Sequence, residues 1–238
     1  MDISVSYYSS EGSRAVNEDA VYLSEHDSKL LAMVADGLGG MAHGDKAAKI
    51  AVKTISTVTS MEELSVQRLE SAIEQANRDI ISEQNGERMC STISVLWMDS
   101  FRAFVSHVGD SRIYQFREGN IIYQSKDHSV SQIAVLVGEI EEAEIRGHKD
   151  RNRLVRALGA SQTVKPETDA LNVMDGDAFL LCSDGFWELI EEQNMMEYLS
   201  QSDDAGEWLD KMKLHVERMQ TADSDNNSAV AVIVRRSV

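Results

Sequence analysis

Four aspartates stand at the ends of apolar runs that are spread over nearly the whole chain. Asp36 follows LLAMVA and opens a glycine-rich turn, and Asp184 follows AFLLCS in the same way. Asp110 comes after AFVSHVG, and Asp225 stands just before SAVAVIV. A single Asp-Gly pair is typical of a tight turn. Recurrence of the design at four strand ends instead predicts a site that folding assembles from distant segments.

Carboxylates gathered in this way require a cation, because two like charges about 4 Å apart repel by roughly 4 kcal/mol at an effective dielectric near 20. Ligands that are all oxygen favour hard ions, so Mg²⁺ or Mn²⁺ is predicted, with Ca²⁺ as an alternative. The histidines form no HxxxH or HxH pair, which argues against zinc. Two hard ions about 3.5 to 4 Å apart activate water for in-line displacement at phosphorus. Hydrolysis of a phosphate ester is therefore the predicted chemistry.

Other catalytic designs fit the sequence poorly. Neither Cys90 nor Cys182 has an arginine six positions later, as a cysteine phosphatase loop needs, and no GxSxG elbow occurs. The run GGMAHGDK is similar to a phosphate loop but places Asp45 where the lysine belongs. A nucleotide-binding loop is rejected on this ground.

The carboxylates need strands and helices to position them. β-branched and aromatic residues predict strands over 3–8 and 20–24, and the continuous apolar run predicts a buried strand over 30–35. Apolar residues at three- and four-residue steps then predict two successive amphipathic helices, over 47–58 and 66–80.

The second half adds strands before it adds helices. The segments STISVLW, RAFVSHV, SRIYQF and IIYQS predict an antiparallel meander. A short helix over 130–137, a break at Gly138 and an acidic helical turn follow. Strand AFLLCS, a helix through ELIEEQNMMEYL, a last helix bearing Trp208 and strand SAVAVIV complete the order. Strands and helices do not alternate one by one, which favours an α+β fold with sheets covered by helices.

Composition narrows the class of protein. The chain has 238 residues, one proline (Pro166) and no linker, which favours a single domain over 1–238. Its 23 basic and 40 acidic residues give a charge of −17, which repels nucleic acid and anionic lipid. Both cysteines lie in apolar runs and are interpreted as reduced thiols of a cytoplasmic protein. The sequence indicates neither a signal peptide nor a membrane span. It also contains no coiled-coil heptad repeat that would indicate an obligate assembly, so we expect a monomer.

Seven ordered motifs resemble those of the metal-dependent (PPM, type 2C) protein Ser/Thr phosphatases, bacterial branch. They are GSRAVNED, VADGLGG, CSTISVLW, HVGDSRIY, KDHSVSQ with RNRLVRALG, LLCSDGFWELI and DNNSAVAVIV, and they span almost the whole chain. The resemblance implies two central, mostly antiparallel β-sheets flanked by pairs of α-helices, a four-layer α-β-β-α sandwich. It also implies hydrolysis of phosphoserine and phosphothreonine on proteins by a water that two metal ions activate.

The resemblance implies a metal-ligand set. Asp36 would bridge two Mn²⁺ or Mg²⁺ ions, and the carbonyl of Gly37 would join the shell of the second. Asp184 and Asp225 would complete the protein ligands of the first. Asp110 with Asp184 resembles the pair that holds a third, weaker metal, although a structural turn carboxylate is the alternative for Asp110.

Further residues are implied around the ions. Arg14 matches the arginine that receives the substrate phosphate, with an ion pair to Glu18 or Asp19 as the alternative. Glu18 and Asp19 would act through metal-bound waters or by orienting ligands, and Asn226 also supports the site. Asp223 is the rival of Asp225, but only Asp225 precedes Asn in the family manner.

Some positions depart from the family pattern. Met41 and Asp45 stand where bacterial relatives carry His and Glu, and Leu38 stands where animal-type relatives carry a histidine proposed as general acid. These positions are not inner-sphere ligands, so tuning is expected instead of loss. A metal-bound water is one hypothesis for the proton donor, and His43 is a poorer second.

Residues 128–153 resemble the flap beside the active site, which varies between relatives. The flap carries a cluster of cations that either helps to choose substrates or forms a solvated loop: Arg146, His148, Lys149, Arg151 and Arg153. The expected partners are a phosphoprotein and a Ser/Thr kinase that opposes the enzyme, or a phosphorylated anti-sigma-pathway protein. A non-catalytic regulatory module with this fold and a hydrolase of small phosphoesters are the alternative functions.

Overall fold

The computed structural model describes residues 2–26, 29–38, 43–59 and 64–235. These residues form two five-stranded sheets in which all paired strands are antiparallel. The first sheet has the order β1 (Asp2–Ser10), β10 (Asn227–Arg235), β9 (Ala178–Cys182), β6 (Arg112–Arg117) and β7 (Asn120–Gln124). The second has the order β2 (Ala20–His26), β3 (Lys29–Ala35), β4 (Ile93–Met98), β5 (Arg102–Val108) and β8 (Glu167–Asn172).

Helices cover the outer face of each sheet. They are α1 (Gly44–Thr59), α2 (Val66–Ser82), α3 (Val130–Leu136), a 3₁₀ helix (Glu142–Gly147), α4 (Asp184–Trp187), α5 (Glu192–Ser200) and α6 (Ala205–Met219). Two of the long helices start with an N-cap side chain. Ser65 accepts a hydrogen bond from the Arg68 amide at the start of α2, and Asp204 accepts one from the Glu207 amide at the start of α6. The predicted pairs of amphipathic helices are present.

Three apolar cores separate four layers. One lies between α1, α2 and the second sheet, another between α4 to α6 and the first sheet, and the third between the two sheets. Strand β3 belongs to two of them: Leu31 and Met33 face the helices, whereas Leu30 and Val34 face the opposite sheet. Because both faces of β3 are buried, its sequence is a continuous apolar run. The predicted α+β fold, an α-β-β-α sandwich, is confirmed.

The predicted four-strand meander is wrong, because the strands divide between the sheets. β4 and β5 pair in the second sheet, whereas β6 and β7 pair in the first. The chain crosses between sheets at Gly109, where φ is +106° and a Cβ would come within 2.6 Å of Thr92 Cγ2. A glycine permits this tight crossing. Asp110 is thereby placed between the two sheets.

Two other elements differ from prediction. Strand β8 was not predicted, because its sequence ETDALN is polar; it lies at an edge of the sheet, where half-exposed polar strands are common. The predicted helix through ELIEEQNMMEYL begins only at Glu192, as α5, because residues 188–191 are not helical and Glu191 has extended backbone with ψ 151°. No glycine or proline marks this break in the sequence.

Cys90 and Cys182 are free and buried, as predicted. Among the described helices, none combines the length and apolar character needed to cross a bilayer.

Candidate active site

All four predicted aspartates lie at one end of the sandwich. Asp36 directly follows β3, and Asp110 lies in the crossing from β5 to β6. Asp184 is the first residue of α4 and is separated from β9 by Ser183, and Asp225 is separated from β10 by Asn226. Because β9 and β10 are antiparallel neighbours, the end of one meets the start of the other.

These aspartates line a single cleft with a volume of about 810 Å³. The predicted residues that line it are Arg14, Glu18, Asp36, Gly37, Asp110, Asp184 and Asp225. The remaining lining residues are Ala15, Val16, Leu38, Asn152 and Leu154. Of these, Asn152 and Leu154 lie within the RNRLVRALG motif, but the sequence does not single them out, because neither side chain carries a charge.

Burial makes the cluster electrostatically unfavourable without a cation. Burial, followed by the charge of Asp184, raises the pKa of Asp36 well above its ordinary value, and the same two causes raise the pKa of Asp110. Burial and the charge of Glu188 raise the pKa of Asp184 to about 7. The carboxyl groups of Asp36 and Asp184 lie close enough for each to influence the pKa of the other. Such a set either retains protons or binds positive charge.

The donors fit hard divalent cations. The acidic wall of the cleft offers carboxylate oxygens, which Mg²⁺ and Mn²⁺ prefer. Behind it, Oδ1 of Asp19 is buried and has no hydrogen-bond partner among the described residues. Burial raises the pKa of Asp19 to about 7. An oxygen left without a partner beside buried carboxylates indicates that this region is built to face a cation or the water around one.

The backbone of Asp36 is held on both sides. Its amide donates to Thr92 Oγ1 over 3.0 Å. Its carbonyl accepts from the Thr92 amide over 2.8 Å and from Ser91 Oγ over 2.9 Å. Asp36 is therefore fixed to the start of β4.

Gly37 occupies a place that permits no side chain. A Cβ there would lie 2.3 Å from the backbone of Gly44 and 2.7 Å from the carbonyl of Glu18. The Gly37 amide donates to that same carbonyl over 3.2 Å. This close approach places the 11–19 loop, Asp36 and the start of α1 together.

Asn226 ties the 11–19 loop to Asp225. Its side-chain oxygen accepts from the Glu18 amide over 2.9 Å, and its side-chain nitrogen donates to the carbonyls of Glu11 and Val16. The Asn226 amide donates to Asp225 Oδ1 over 2.9 Å.

Asp19 lies behind the cleft wall. Ser183 Oγ donates to its Oδ2 over 2.9 Å, and the Ser228 amide donates to Ser183 Oγ over 2.9 Å. Asp19 is thus joined to the residue that precedes Asp184. Burial raises the pKa of Glu18, which itself lines the cleft.

Arg14 pairs with Asp225, not with the predicted alternatives Glu18 and Asp19. Nε donates to Oδ1 over 3.0 Å and Nη2 to Oδ2 over 2.9 Å. The Arg14 side chain is 56% exposed and stands at the rim of the cleft, where it occupies both carboxylate oxygens of Asp225.

The flap cations are mostly paired with neighbouring acids. Arg146 pairs with Glu192, Arg151 with Glu188, and Arg153 with Asp150. His148 Nδ1 accepts from the Asp150 amide over 3.1 Å. Four of the five predicted cationic residues therefore have local partners. The cleft is lined instead by Asn152, which lies within the flap, and by Leu154, which directly follows it.

The residues discussed as departures from the family pattern, and His43 beside them, lie in different positions relative to the cleft. His43 pairs with Glu87 over 3.0 Å and does not line the cleft. Asp45 pairs with Lys49 in the first turn of α1. Leu38 lines the cleft, and Met41 lies outside the described residues.

Another group of potential ligands, His107, His128 and Glu167, has one atom from each within 4.8 Å of the others. The two imidazole rings are stacked, with centroids 4.6 Å apart and an interplanar angle of 10°. Ring lone pairs lie in the ring planes, so stacked rings cannot both point at one ion. Arg156 Nη1 also lies 2.9 Å from His128 Nε2, where it supplies positive charge. We assign no metal to this group.

Comparisons with known proteins agree with the geometry. The family described as protein phosphatase 2C matches residues 8–224. The serine/threonine phosphatase stp of Listeria monocytogenes is 28% identical over 231 residues, which cover 92% of this chain and 90% of that protein.

Solved structures extend the likeness. The Mycobacterium tuberculosis serine/threonine phosphatase PstP/Ppp has a TM-score of 0.88 at 27% identity, covering 98% of this chain and 99% of that one. The catalytic domain of PstP in complex with two manganese ions has a TM-score of 0.84 at 27% identity, covering 99% and 100%. The resemblance drawn from the motifs is confirmed: this chain belongs to the protein phosphatase 2C family.

Proposed function

We propose that this protein is a metal-dependent protein phosphatase that hydrolyses phosphoserine and phosphothreonine on protein substrates. The observation that carries the proposal is the convergence of four aspartates from four separate segments on one cleft, with an arginine at its rim. Relatives of this family named serine/threonine phosphatases, one of them solved with two manganese ions, support the same reaction.

The ligand assignment follows the carboxylates. Asp36 would bridge two Mn²⁺ or Mg²⁺ ions, and the Gly37 carbonyl would bind the second. Asp184 and Asp225 would bind the first, and Asp110 with Asp184 would bind a third ion. When bound, such ions make water a stronger nucleophile near neutral pH and offset charge on phosphoryl oxygens. Retention of all four carboxylates favours an enzyme over a non-catalytic module.

Arg14 would receive the substrate phosphate. A guanidinium presents two parallel N–H donors that match two phosphoryl oxygens. In the structure this fork binds the two oxygens of Asp225, which supports the required geometry. We infer that Arg14 leaves Asp225 when substrate and metal enter.

A supporting set would orient the ligands. Asn226 binds the amide of Glu18 and lies next to Asp225, and Asp19 is joined through Ser183 to the segment of Asp184. We propose that Glu18 and Asp19 hold water around the ions. Outer partners of this type keep ligands in one orientation.

The proton for the departing Ser or Thr oxygen would come from water. Leu38 lines the cleft but has no proton to give, and His43 is turned to Glu87. Water is therefore the donor that the surroundings of the cleft support.

The deciding experiment is hydrolysis of a phosphothreonine peptide with Mn²⁺, with Mn²⁺ plus excess chelator, and by Asp184→Asn with Mn²⁺. We expect turnover in the first case and a loss of at least about 100-fold in the other two, because the ion is the main source of nucleophile activation. Equal rates in all three would refute the proposal. Parallel trials with nucleotides distinguish a hydrolase of small phosphoesters, which would prefer them to the peptide.

The proposed reaction requires an enzyme that supplies its phosphorylated substrate. A Ser/Thr kinase must provide the phosphoprotein, so we propose a kinase that opposes this enzyme; a phosphorylated anti-sigma-pathway protein is a second substrate class. The two buried free cysteines support a reducing, cytoplasmic location. We further propose that residues 1–238 act as one catalytic domain, since the sheets share one core, and that the protein is a monomer.

A further inference from the structure

Thr92 lies between the two segments that carry Asp36 and Asp110. It is completely buried. Its Oγ1 accepts the Asp36 amide over 3.0 Å and lies 2.6 Å from Ser111 Oγ. Ser111 is the residue after Asp110, so one hydroxyl contacts both carboxylate-bearing segments.

The chemistry of a hydroxyl permits both bonds at once. Thr92 Oγ1 has two lone pairs and one proton. It accepts the Asp36 N–H and retains its own proton for Ser111, or accepts from Ser111 as well. The result is a continuous link from the Asp36 amide through Thr92 to the side chain of Ser111.

The methyl group of Thr92 contacts the same turn from another side. A Cβ on Gly109 would lie 2.6 Å from Thr92 Cγ2, so Gly109 and the methyl group are in close contact. The Thr92 amide also donates to the Asp36 carbonyl over 2.8 Å. Both backbone polar groups of Asp36, its N–H and its C=O, therefore bond to Thr92.

We propose that Thr92 is a positioning residue whose hydroxyl sets Asp36 relative to the Asp110–Ser111 turn, and thereby sets the spacing of the carboxylates that bind metal. This inference rests on the proposed function, because it assigns Thr92 to the metal ligands named there. Mg²⁺ and Mn²⁺ bind at short, regular distances, so a small displacement of a ligand carboxylate weakens binding. Removal of an outer partner of a ligand typically costs about 10- to 100-fold in metal affinity.

The test is Mn²⁺ titration of the metal-stripped full-length protein by calorimetry, which needs no turnover. Thr92→Val keeps the shape and removes the hydroxyl, whereas Thr92→Ser keeps the hydroxyl and removes the methyl group. We expect Thr92→Val to weaken Mn²⁺ binding by about 10- to 100-fold. We expect Thr92→Ser to stay within about 3-fold of the wild type, because the hydroxyl link is retained.

Thr59→Val is the matched control. Thr59 is also buried, but its hydroxyl donates to the Ile55 carbonyl within α1. We expect Thr59→Val to lower the melting temperature and to leave Mn²⁺ affinity unchanged. The comparison separates an effect on ligand positioning from an effect on overall stability. Ser111→Ala, which removes only the far end of the link, should weaken Mn²⁺ binding by about 3- to 10-fold and provides a test if Thr92→Val does not fold.

The outcomes separate the two proposals. If the wild type binds no Mn²⁺, the proposed metal-dependent function fails. If the wild type binds Mn²⁺ and Thr92→Val or Ser111→Ala binds it equally well, only the role of Thr92 is overturned. Equal losses in Thr92→Val and Thr92→Ser would assign the effect to packing and would also overturn it.

Discussion

The guanidinium of Arg14 binds both carboxylate oxygens of Asp225, with Nε 3.0 Å from Oδ1 and Nη2 2.9 Å from Oδ2. The hydrogen bonds and the charge of Asp225 raise the pKa of Arg14 further above its already high value. The same carboxylate is proposed as a metal ligand, and the same guanidinium as the phosphate receptor. Each residue therefore binds the other at the position where its proposed ligand would bind, which is a metal ion for Asp225 and a phosphate for Arg14.

Arg14→Lys tests the phosphate role. Lysine keeps the charge but loses the two-donor fork, so kcat/KM on a phosphothreonine peptide should fall by roughly 10- to 100-fold. Mn²⁺ affinity should stay equal or become tighter, because Asp225 loses a competing partner. Steady-state kinetics and calorimetry measure the two effects.

Arg117→Lys is its matched control. Arg117 binds both oxygens of Asp177 over 2.7 Å, in the same forked manner, but does not line the cleft. It should leave kcat/KM unchanged. An equal fall in both variants would mean that loss of a forked ion pair, and not loss of phosphate binding, lowers activity.

Asp184→Asn should stabilise the metal-free protein at alkaline pH. The folded pKa of Asp184 is raised to about 7 from an ordinary 3.8, first by burial. The folded state thus retains a proton that the unfolded state has lost. The free energy of unfolding falls as pH rises through that window and stays reduced above about 7. In chelator at pH 8 the variant should melt at least about 3 °C higher than the wild type, and near pH 5 the gap should narrow.

Asp210→Asn controls for net charge. Asp210 is exposed on α6 and does not line the cleft. Its melting temperature should follow that of the wild type at both pH values. A variant Asp184→Asn that melts below the wild type at pH 8 contradicts the assignment of charge repulsion to this cluster.

Gly37→Ala should damage the cleft through sterics alone. The added Cβ would lie 2.3 Å from the backbone of Gly44, which has no flexible atom to move away. We expect unfolding free energy to fall by about 1–3 kcal/mol and Mn²⁺ binding to weaken. Gly147→Ala, where a Cβ meets open space, should change stability by no more than about 0.5 kcal/mol. Denaturant titration of both proteins measures the two stabilities, and equal values would show that the backbone at Gly37 and Gly44 adapts to the added Cβ.

His43→Ala should retain turnover within about 2-fold. The side chain is 59% exposed and pairs with Glu87 instead of lining the cleft. General acids contribute about 10²- to 10⁴-fold to rates. A loss of 100-fold in a well-folded variant would therefore make His43 the proton donor and remove water from that role.

Local pattern was enough to find most elements and to name the metal-site candidates. The apolar run before Asp36 and the helical periodicity of 66–80 depend on burial, and burial leaves a direct mark on residue type. The aspartates could be recognised together because one design recurs at four strand ends. This recurrence predicts that Asp36, Asp110, Asp184 and Asp225 meet, and the structure places them on one cleft.

Pairing between strands that are distant in sequence leaves no comparable pattern of residue types. The predicted meander failed because strand sequences do not record which sheet they join, and Gly109 carries the chain from one sheet to the other. Strand β8 stayed hidden because its stability comes from pairing with β5 and not from an apolar face of its own.

Local chemistry and periodicity are enough to identify the residues that could bind hard cations and to predict an α+β fold that carries them. Three sets of contacts arise only on folding: Arg14 with Asp225 instead of Glu18, Arg146 and Arg151 with Glu192 and Glu188, and Thr92 with both carboxylate segments. The physical reason is that these are contacts between segments tens to hundreds of positions apart. A charge or a hydroxyl has many possible partners along a chain, and packing of the two sheets selects one.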